Sequence, residues 1–269
     1  MRTRTALALL ILLSSATFSE AAELKQVTLR AWDDYVHTVD VTMAERAAGS
    51  RPFLWVDDSP EIQRRVQRGE VVITNHDPRK VPQGLIHHWF GAMFIPNLTL
   101  DQVMGVLNDY DHYCDVYKPL ITKVVVLERG GDNAKLTVVA VQKAFSVTAA
   151  VETGDEVKIV RPAPNRVLIT STAVRVQEIA DYGQPSEHPF VETRRPGYVW
   201  RAVVVERLEQ RDGGVYVELE TVSLSRGIPL EVRWLIKPLT DDLPRKLMLN
   251  MLNDTRSAAQ HRSQGGAGQ

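Results

Sequence analysis

Cysteine is almost absent from this chain: Cys114 is the only one in 269 residues. A single thiol cannot form an internal disulfide, so the fold must rely on its core. No activating base lies near Cys114 in the sequence, and a small buried side chain explains this residue better than a nucleophile does. The sequence therefore indicates neither a disulfide scaffold nor a thiol enzyme.

An excess of charge of either sign is missing as well. The chain has 32 Lys and Arg residues and 33 Asp and Glu residues, which gives a net charge of −1 at pH 7. Nonspecific binding to nucleic acid depends on a basic surface, so we expect no nucleic-acid partner. With 44% hydrophobic and 24% charged residues, the composition is that of one sizeable globular domain with an appendage.

The apolar run Ala6–Leu13 is too short to span a membrane as a helix of the mature protein. It follows the basic start Met1-Arg-Thr-Arg and precedes Ser19-Glu-Ala, which has small residues at the two positions that a signal peptidase recognises. We expect a signal peptide over residues 1–21, cleavage after Ala21, and a periplasmic or secreted protein. No cysteine lies near this junction, so we expect no lipid anchor of the usual bacterial kind.

The clearest structural pattern is an amphipathic helix from about Asp241 to Ala259. Its apolar face, at about 100° per residue, consists of Leu243, Leu247, Met248, Met251, Leu252, Thr255 and Ala258. A face of this width has to be covered. The segments upstream that could cover it are strands.

Segments rich in β-branched residues, separated by turn sequences, fill the region from residue 121 to 225. They are 121–127, 135–142, 145–152, 157–160, 167–177, 198–209 and 215–225. An earlier strand, Leu85–Ile95, precedes a helix that Thr99 caps. Because strands twist, a sheet of about seven strands curls, and the long helix can lie in the curl. The predicted fold is α+β of the helix-grip type, a curved antiparallel sheet wrapped around a long C-terminal helix.

The segment before this sheet has a different pattern. Apolar residues at helical spacing predict an amphipathic helix over Leu24–Ala48, and Ser59-Pro60 is a typical start of a short helix. Four regions are predicted: a signal peptide over 1–21, an N-terminal helical extension over 22–83, the helix-grip domain over 84–259, and a disordered tail over 260–269.

Three stretches resemble the START-like (SRPBCC) superfamily, the helix-grip fold shared with Bet v 1 and with polyketide cyclases and aromatases. They are Gly84–Pro96, the helix end at 108–117 before Lys118-Pro119, and Ser225-Arg-Gly-Ile-Pro with Trp234 and Leu243-Pro244 after it. The resemblance implies a hydrophobic cavity between sheet and helix that holds a lipid, sterol, isoprenoid or polyketide-like molecule. It carries no universal catalytic motif and implies no cofactor, so no catalytic residue is assigned.

Seven residues are candidates for the lining of such a cavity. They are His88, Phe145, Trp200, Thr221, Met248, Met251 and Leu252. Ordinary close-packed core is an equally good explanation of most of them. His87 and His88 are adjacent on a strand and point to opposite faces, so they cannot chelate one metal, and no metal site is predicted.

The turn Arg211-Asp-Gly-Gly fixes which residues of the flanking strands share a face. The set expected to face the long helix is uncharged: Trp200, Ala202, Val204, Val217, Leu219, Thr221 and Ser223. Arg207, Glu218 and Glu220 are then expected outside, as exposed cross-strand pairs. In the alternative arrangement they face inward, and a desolvated Arg–Glu pair would anchor a ligand or act in acid–base chemistry.

Three functions are compatible with these patterns. The leading hypothesis is an exported, soluble, noncatalytic protein that binds or carries a hydrophobic molecule and makes transient membrane contact. The second is a cyclase, dehydratase or hydrolase acting on an apolar substrate in the same cavity, with His88, Tyr110 or Glu220 as its polar group. The third is a protein-binding module in which the Leu24–Ala48 helix docks on a partner. The oligomeric state is left open.

Overall fold

The computed structural model describes residues 26–144, 147–189, 199–227 and 243–266. The helices of this part are α1 Gln26–Ala47, α2 Pro60–Gln67, α3 Leu100–Leu107, α4 Tyr113–Val116 and α5 Leu243–Gly266, with 3₁₀ turns at Trp55–Asp58 and Tyr110–His112. The strands are β1 Val72–Asn75, β2 Arg79–Val81, β3 Gly84–Pro96, β4 Ile121–Gly130, β5 Asn133–Ala144, β6 Val147–Ala163, β7 Arg166–Ala180, β8 His188–Pro189, β9 Val199–Arg211 and β10 Gly214–Arg226. The signal peptide predicted for residues 1–21 lies outside the described residues. None of the described helices is long and apolar enough to cross a membrane.

The described strands form one antiparallel sheet in the order β1-β3-β10-β9-β7-β6-β5-β4, with β2 beside β3 and β8 beside β7. A tight turn joins β9 to β10, and its two central residues, Asp212 and Gly213, have φ angles of +54° and +77°. Such angles suit the right-handed twist of a hairpin. The turn pairs Val204 with Thr221, which places both residues on one face, as the sequence predicted.

Helix α5 lies against one face of the sheet, which we call the helix face. It contacts β1, β3, β10, α3 and α4, and its Met248 and Leu252 belong to the largest core cluster. Gly91 on β3 allows this close approach, because a Cβ there would lie 2.9 Å from Leu252 Cδ1 and 3.2 Å from Met248 Cε. The predicted helix-grip α+β fold is confirmed.

The N-terminal segment covers the opposite face of the sheet, which we call the outer face. Trp32 and Val39 of α1 are buried with Val205 and Leu224 of the sheet. A second cluster buries residues 53–56 and α2 against β1, β3 and β10. Strands β1 and β2 also pair with β3. The predicted domain boundary at residue 84 therefore falls inside one sheet rather than between two separate units.

Two elements differ in length from their predictions. The strands predicted at 145–152 and 157–160 are one strand, β6, because Gly154-Asp155 is accommodated as a shift in register with β7 instead of a turn. Helix α5 continues to Gly266, into the tail predicted for 260–269. Its last turns are held by Arg262, which donates to the Gly105 carbonyl at 2.7 Å and pairs with Asp109 at 2.6 Å.

Candidate functional site

Glu206 distinguishes the helix face from an ordinary apolar core. It lies on β9 opposite Leu219 of β10 and Ile169 of β7, both of which are buried in the core cluster that includes α5. No described residue forms a hydrogen bond or an ion pair with its carboxyl group. Desolvation by burial is what shifts its pKa. A carboxyl group in this position lowers the stability of the fold unless it gains a hydrogen-bond partner.

Burial raises the pKa of Glu206 to about 7. The side chain nevertheless remains partly accessible. Its carboxyl is therefore desolvated without being closely packed on every side. With a pKa near neutrality, the carboxyl is populated both as an acid that can donate a hydrogen bond and as a carboxylate that can accept several.

Three tyrosines form an aromatic wall near this carboxyl. Tyr110 and Tyr113 meet edge to face with ring centroids 5.4 Å apart, and Tyr113 and Tyr117 do so at 5.0 Å. Burial, and after it the negative charge of Glu206, raises the pKa of Tyr110 and Tyr117. The Tyr117 hydroxyl lies 3.0 Å from the Thr255 hydroxyl of α5, and Tyr113 donates to the Leu107 carbonyl. The wall is therefore made of neutral phenols, and two of them form hydrogen bonds with neighbouring helices.

Four of the seven predicted lining residues lie between sheet and helix. Met248 and Leu252 are buried, and Met251 is half-buried against the same core. Thr221 is half-buried, with its hydroxyl 3.9 Å from the Met248 sulfur. The Phe145 side chain lies outside the described residues.

The other two, Trp200 and His88, lie on the outer face. The register shifts where Leu224 pairs with Arg201 and Ser225 pairs with Val199, so Trp200 is the extra residue of a bulge. The bulge breaks the strict alternation that had placed Trp200 with Val204, and its ring packs in the cluster of Trp32. The expectation that Trp200 faces the long helix is thus corrected.

His88 is part of a buried polar network on the outer face. Its Nδ1 lies 2.9 Å from the Tyr35 hydroxyl of α1, and its Nε2 lies 2.7 Å from Glu220 Oε1. Burial favours the neutral form of Glu220, but its hydrogen bond with His88 and the charge of Arg207 outweigh this and lower its pKa to about 2. Because an ionised carboxylate only accepts, His88 donates from Nε2 to Glu220.

The expectation that Arg207, Glu218 and Glu220 are exposed is wrong. They are 1%, 2% and 4% exposed, because the N-terminal segment covers the outer face. Arg207 pairs with Glu220 and lies 3.6 Å from Glu218, whose other oxygen accepts the Val56 N–H at 2.8 Å. Burial raises the pKa of Glu218 to about 7. These charges face the N-terminal segment rather than α5, so the inward-facing alternative does not hold either.

The sequence analysis missed Glu206, although the signal was present. The face predicted as uncharged ended at Val204 on β9. Continuing the same alternation by two residues places Glu206 on that face, and the observed pairing of Glu206 with Leu219 confirms the register.

Acidic residues near the end of α3 are used in protein contacts. His112 Nδ1 lies 2.7 Å from Asp109, which Arg262 also contacts. Within the described ranges, no group of three or more His, Cys, Asp or Glu side chains is placed to hold a metal ion.

Comparison with known proteins gives structural matches only. No protein-family model matches the sequence. No curated protein matches it either. A STAR-related lipid transfer protein from Xanthomonas axonopodis is 15% identical, with 71% of this chain and 98% of that chain covered and a TM-score of 0.43. The Zhui aromatase/cyclase from Streptomyces sp. R1128 is 14% identical, with coverages of 66% and 96% and a TM-score of 0.46.

Human STARD10 is 10% identical, with 77% of this chain and 82% of that chain covered and a TM-score of 0.45. The assignment of the fold rests on the chain's own architecture, in which α5 lies against one antiparallel sheet whose first and last long strands, β3 and β10, are neighbours. By this architecture the chain has a START-like helix-grip fold.

Proposed function

We propose that this protein binds a hydrophobic molecule, of the lipid, isoprenoid or polyketide-like kind, between the helix face and α5. The observation that carries the proposal is the Glu206 carboxyl, which has no partner among the described residues and lies opposite Leu219 and Ile169 on a mainly apolar face. Keeping such a group without a hydrogen bond lowers stability by about 1–3 kcal/mol. A bound molecule with one polar atom would supply the missing partner.

The surroundings of Glu206 define the ligand's chemistry. Half-buried apolar side chains on the same face, among them Val126, Val138 and Val204, offer contact surface for an apolar body. Burial of that body contributes about 25 cal/mol per Å², so it supplies most of the affinity. Near neutral pH the protonated Glu206 donates to a ligand carbonyl, and the ionised form accepts from a hydroxyl. The expected ligand is therefore mostly apolar, with a single oxygen-bearing end.

The same carboxyl favours an enzyme as the second candidate. A pKa of about 7 suits a general acid or base that works at neutral pH. Such a group could serve a cyclase, dehydratase or hydrolase reaction on an apolar substrate. Glu206 takes this role in place of His88 and Glu220, which belong to the outer face, whereas Tyr110 lies on the helix side. Glu206→Gln separates the two functions, because an enzyme would lose turnover while a carrier would still bind.

We do not retain the hypothesis that α1 docks on a protein partner. It relied on an apolar face of α1 left free for docking, and Trp32 and Val39 of that face are each only 5% exposed against the sheet.

Export to the periplasm, or secretion, is part of the proposal. It is supported by the basic start, the short apolar run and the small residues Ser19 and Ala21. A carrier in that compartment would load and release a lipid by brief contact with a membrane.

Titration with N-phenyl-1-naphthylamine, an apolar fluorescent probe, tests the binding site. Val204→Phe and Met251→Phe add bulk on the helix side, whereas Val174→Phe adds it at a position that is 57% exposed. The first two variants should abolish saturable binding, and the third should bind like the wild type. Wild-type protein without saturable binding, or unchanged binding by both helix-side variants that still melt cooperatively, would contradict the proposal.

A further inference from the structure

A pocket lies on the outer face, between α1 and strands β7 and β9. Its volume is about 420 Å³, which lies within the range of small-molecule sites, about 300–1,000 Å³. Trp32 and Val36 of α1 and Val203 of β9 give it apolar walls. The sheet separates this pocket from Glu206, so it is a different site from the one proposed above.

The rim of this pocket is acidic. Asp33 and Asp40 stand two turns apart on the side of α1 that lines it. Neither forms an ion pair with any residue in the described part of the chain. Arg201, the cationic side chain of the lining, donates instead to the carbonyl of Trp200 at 2.8 Å. His37 also lines the pocket, between the two aspartates on α1. The pocket therefore combines apolar walls with two carboxylates, neither of which forms an ion pair within the described residues.

The pKa of Asp40 is consistent with this arrangement. Burial raises its pKa, and the nearby His37 only partly opposes the shift. A cation held beside Asp40 would offset the desolvation of the carboxylate and would gain an attraction less screened than one in bulk water.

We propose that this pocket binds an apolar molecule that carries one amine or quaternary ammonium group. The apolar body would lie against Trp32, Val36 and Val203, and the cationic group would lie beside Asp33 or Asp40 at the rim. The site is independent of the hydrophobic ligand proposed for the helix side.

The test uses two probes of equal chain length and opposite charge, decyltrimethylammonium and decyl sulfate, below their micelle concentrations. The readout is the indole N–H signal of Trp32 in proton–nitrogen NMR spectra, assigned with Trp32→Phe. The cation should shift this signal saturably, and decyl sulfate should not. Asp33→Asn and Asp40→Asn should each weaken binding about fivefold, the value expected for loss of one partly screened charge contact of about 1 kcal/mol.

Asp34→Asn is the matched control, because Asp34 is an exposed neighbour on α1 that does not line the pocket. It should bind the cation like the wild type, and so should Glu206→Gln, which alters only the helix side. An equal loss in Asp34→Asn would mean that only the bulk charge of the helix attracts the probe. Equal binding of decyl sulfate, or a Trp32 signal that does not move, would also overturn the proposal.

Discussion

Replacement of Glu206 by glutamine should make the stability of this protein less dependent on pH. Burial raises the pKa of this carboxyl to about 7 in the folded state, whereas its ordinary value in an unfolded chain is about 4.3–4.5. A raised carboxyl pKa means that the folded state holds its proton more tightly than the unfolded state does. The resulting stability is complete below the unfolded pKa and is lost as the pH rises through the folded pKa.

The size of the effect follows from the two pKa values. Between about pH 5 and pH 8, linkage predicts that the ionisation of Glu206 lowers the free energy of unfolding by about 2.5 kcal/mol. This is an upper estimate, because the side chain keeps some accessible surface. Glutamine resembles the protonated acid and does not ionise, so Glu206→Gln should not show this loss. Glu218, whose pKa burial also raises to about 7, is present in both proteins and cancels in the difference.

Urea unfolding of the wild type and of Glu206→Gln at several pH values measures this difference. The variant should gain stability relative to the wild type as the pH rises, by about 2 kcal/mol over this range, with an unchanged m value. Glu156→Gln, which removes an exposed acid from β6, should show a flat difference. A difference between wild type and Glu206→Gln that is also flat with pH would refute the enclosed position of this carboxyl.

Three further substitutions test the packing on either face, each by urea unfolding. Arg207→Ala leaves Glu220 buried without its cation and should cost about 3–5 kcal/mol, a loss that an exposed pair would not show. Tyr35→Phe removes the hydroxyl at 2.9 Å from His88 and should cost about 1 kcal/mol; an unchanged stability would argue against α1 docking in this register. Gly91→Val places methyl groups where Leu252 and Met248 approach β3 and should cost about 1–3 kcal/mol. A neutral Gly91→Val would contradict the close approach of α5.

The parts of the fold that the sequence could predict are those set by local chemistry. The capping box at Thr99, in which the hydroxyl accepts the Gln102 N–H at 3.3 Å and the Gln102 side chain accepts the Thr99 N–H at 2.8 Å, starts α3 as expected. The turn at Asp212-Gly213 determined which residues of β9 and β10 share a face, up to the bulge at Trp200. The apolar stripe that contains Met248 and Leu252 required a covered helix face, and the sheet provides it.

Other features depend on contacts between distant segments, which a local pattern does not contain. Strand alternation showed that Arg207 and Glu220 share a face, but not that residues 26–67 cover it. The change of face at Trp200 results from a β-bulge, and no turn residue in the sequence indicates that bulge. The pocket beside Asp40 exists only because α1 packs against strand residues that lie 130 or more positions later in the chain. For the same reason, only part of the candidate site could be predicted.

Native mass spectrometry of the purified protein tests the central claim most directly. The account predicts a folded species heavier than the chain by one hydrophobic molecule at near-stoichiometric amount, which denaturation releases and mass analysis assigns to a chemical class. A protein that is empty, and that also gains no thermal stability from a panel of lipids, isoprenoids and aromatic polyketides, would contradict the account.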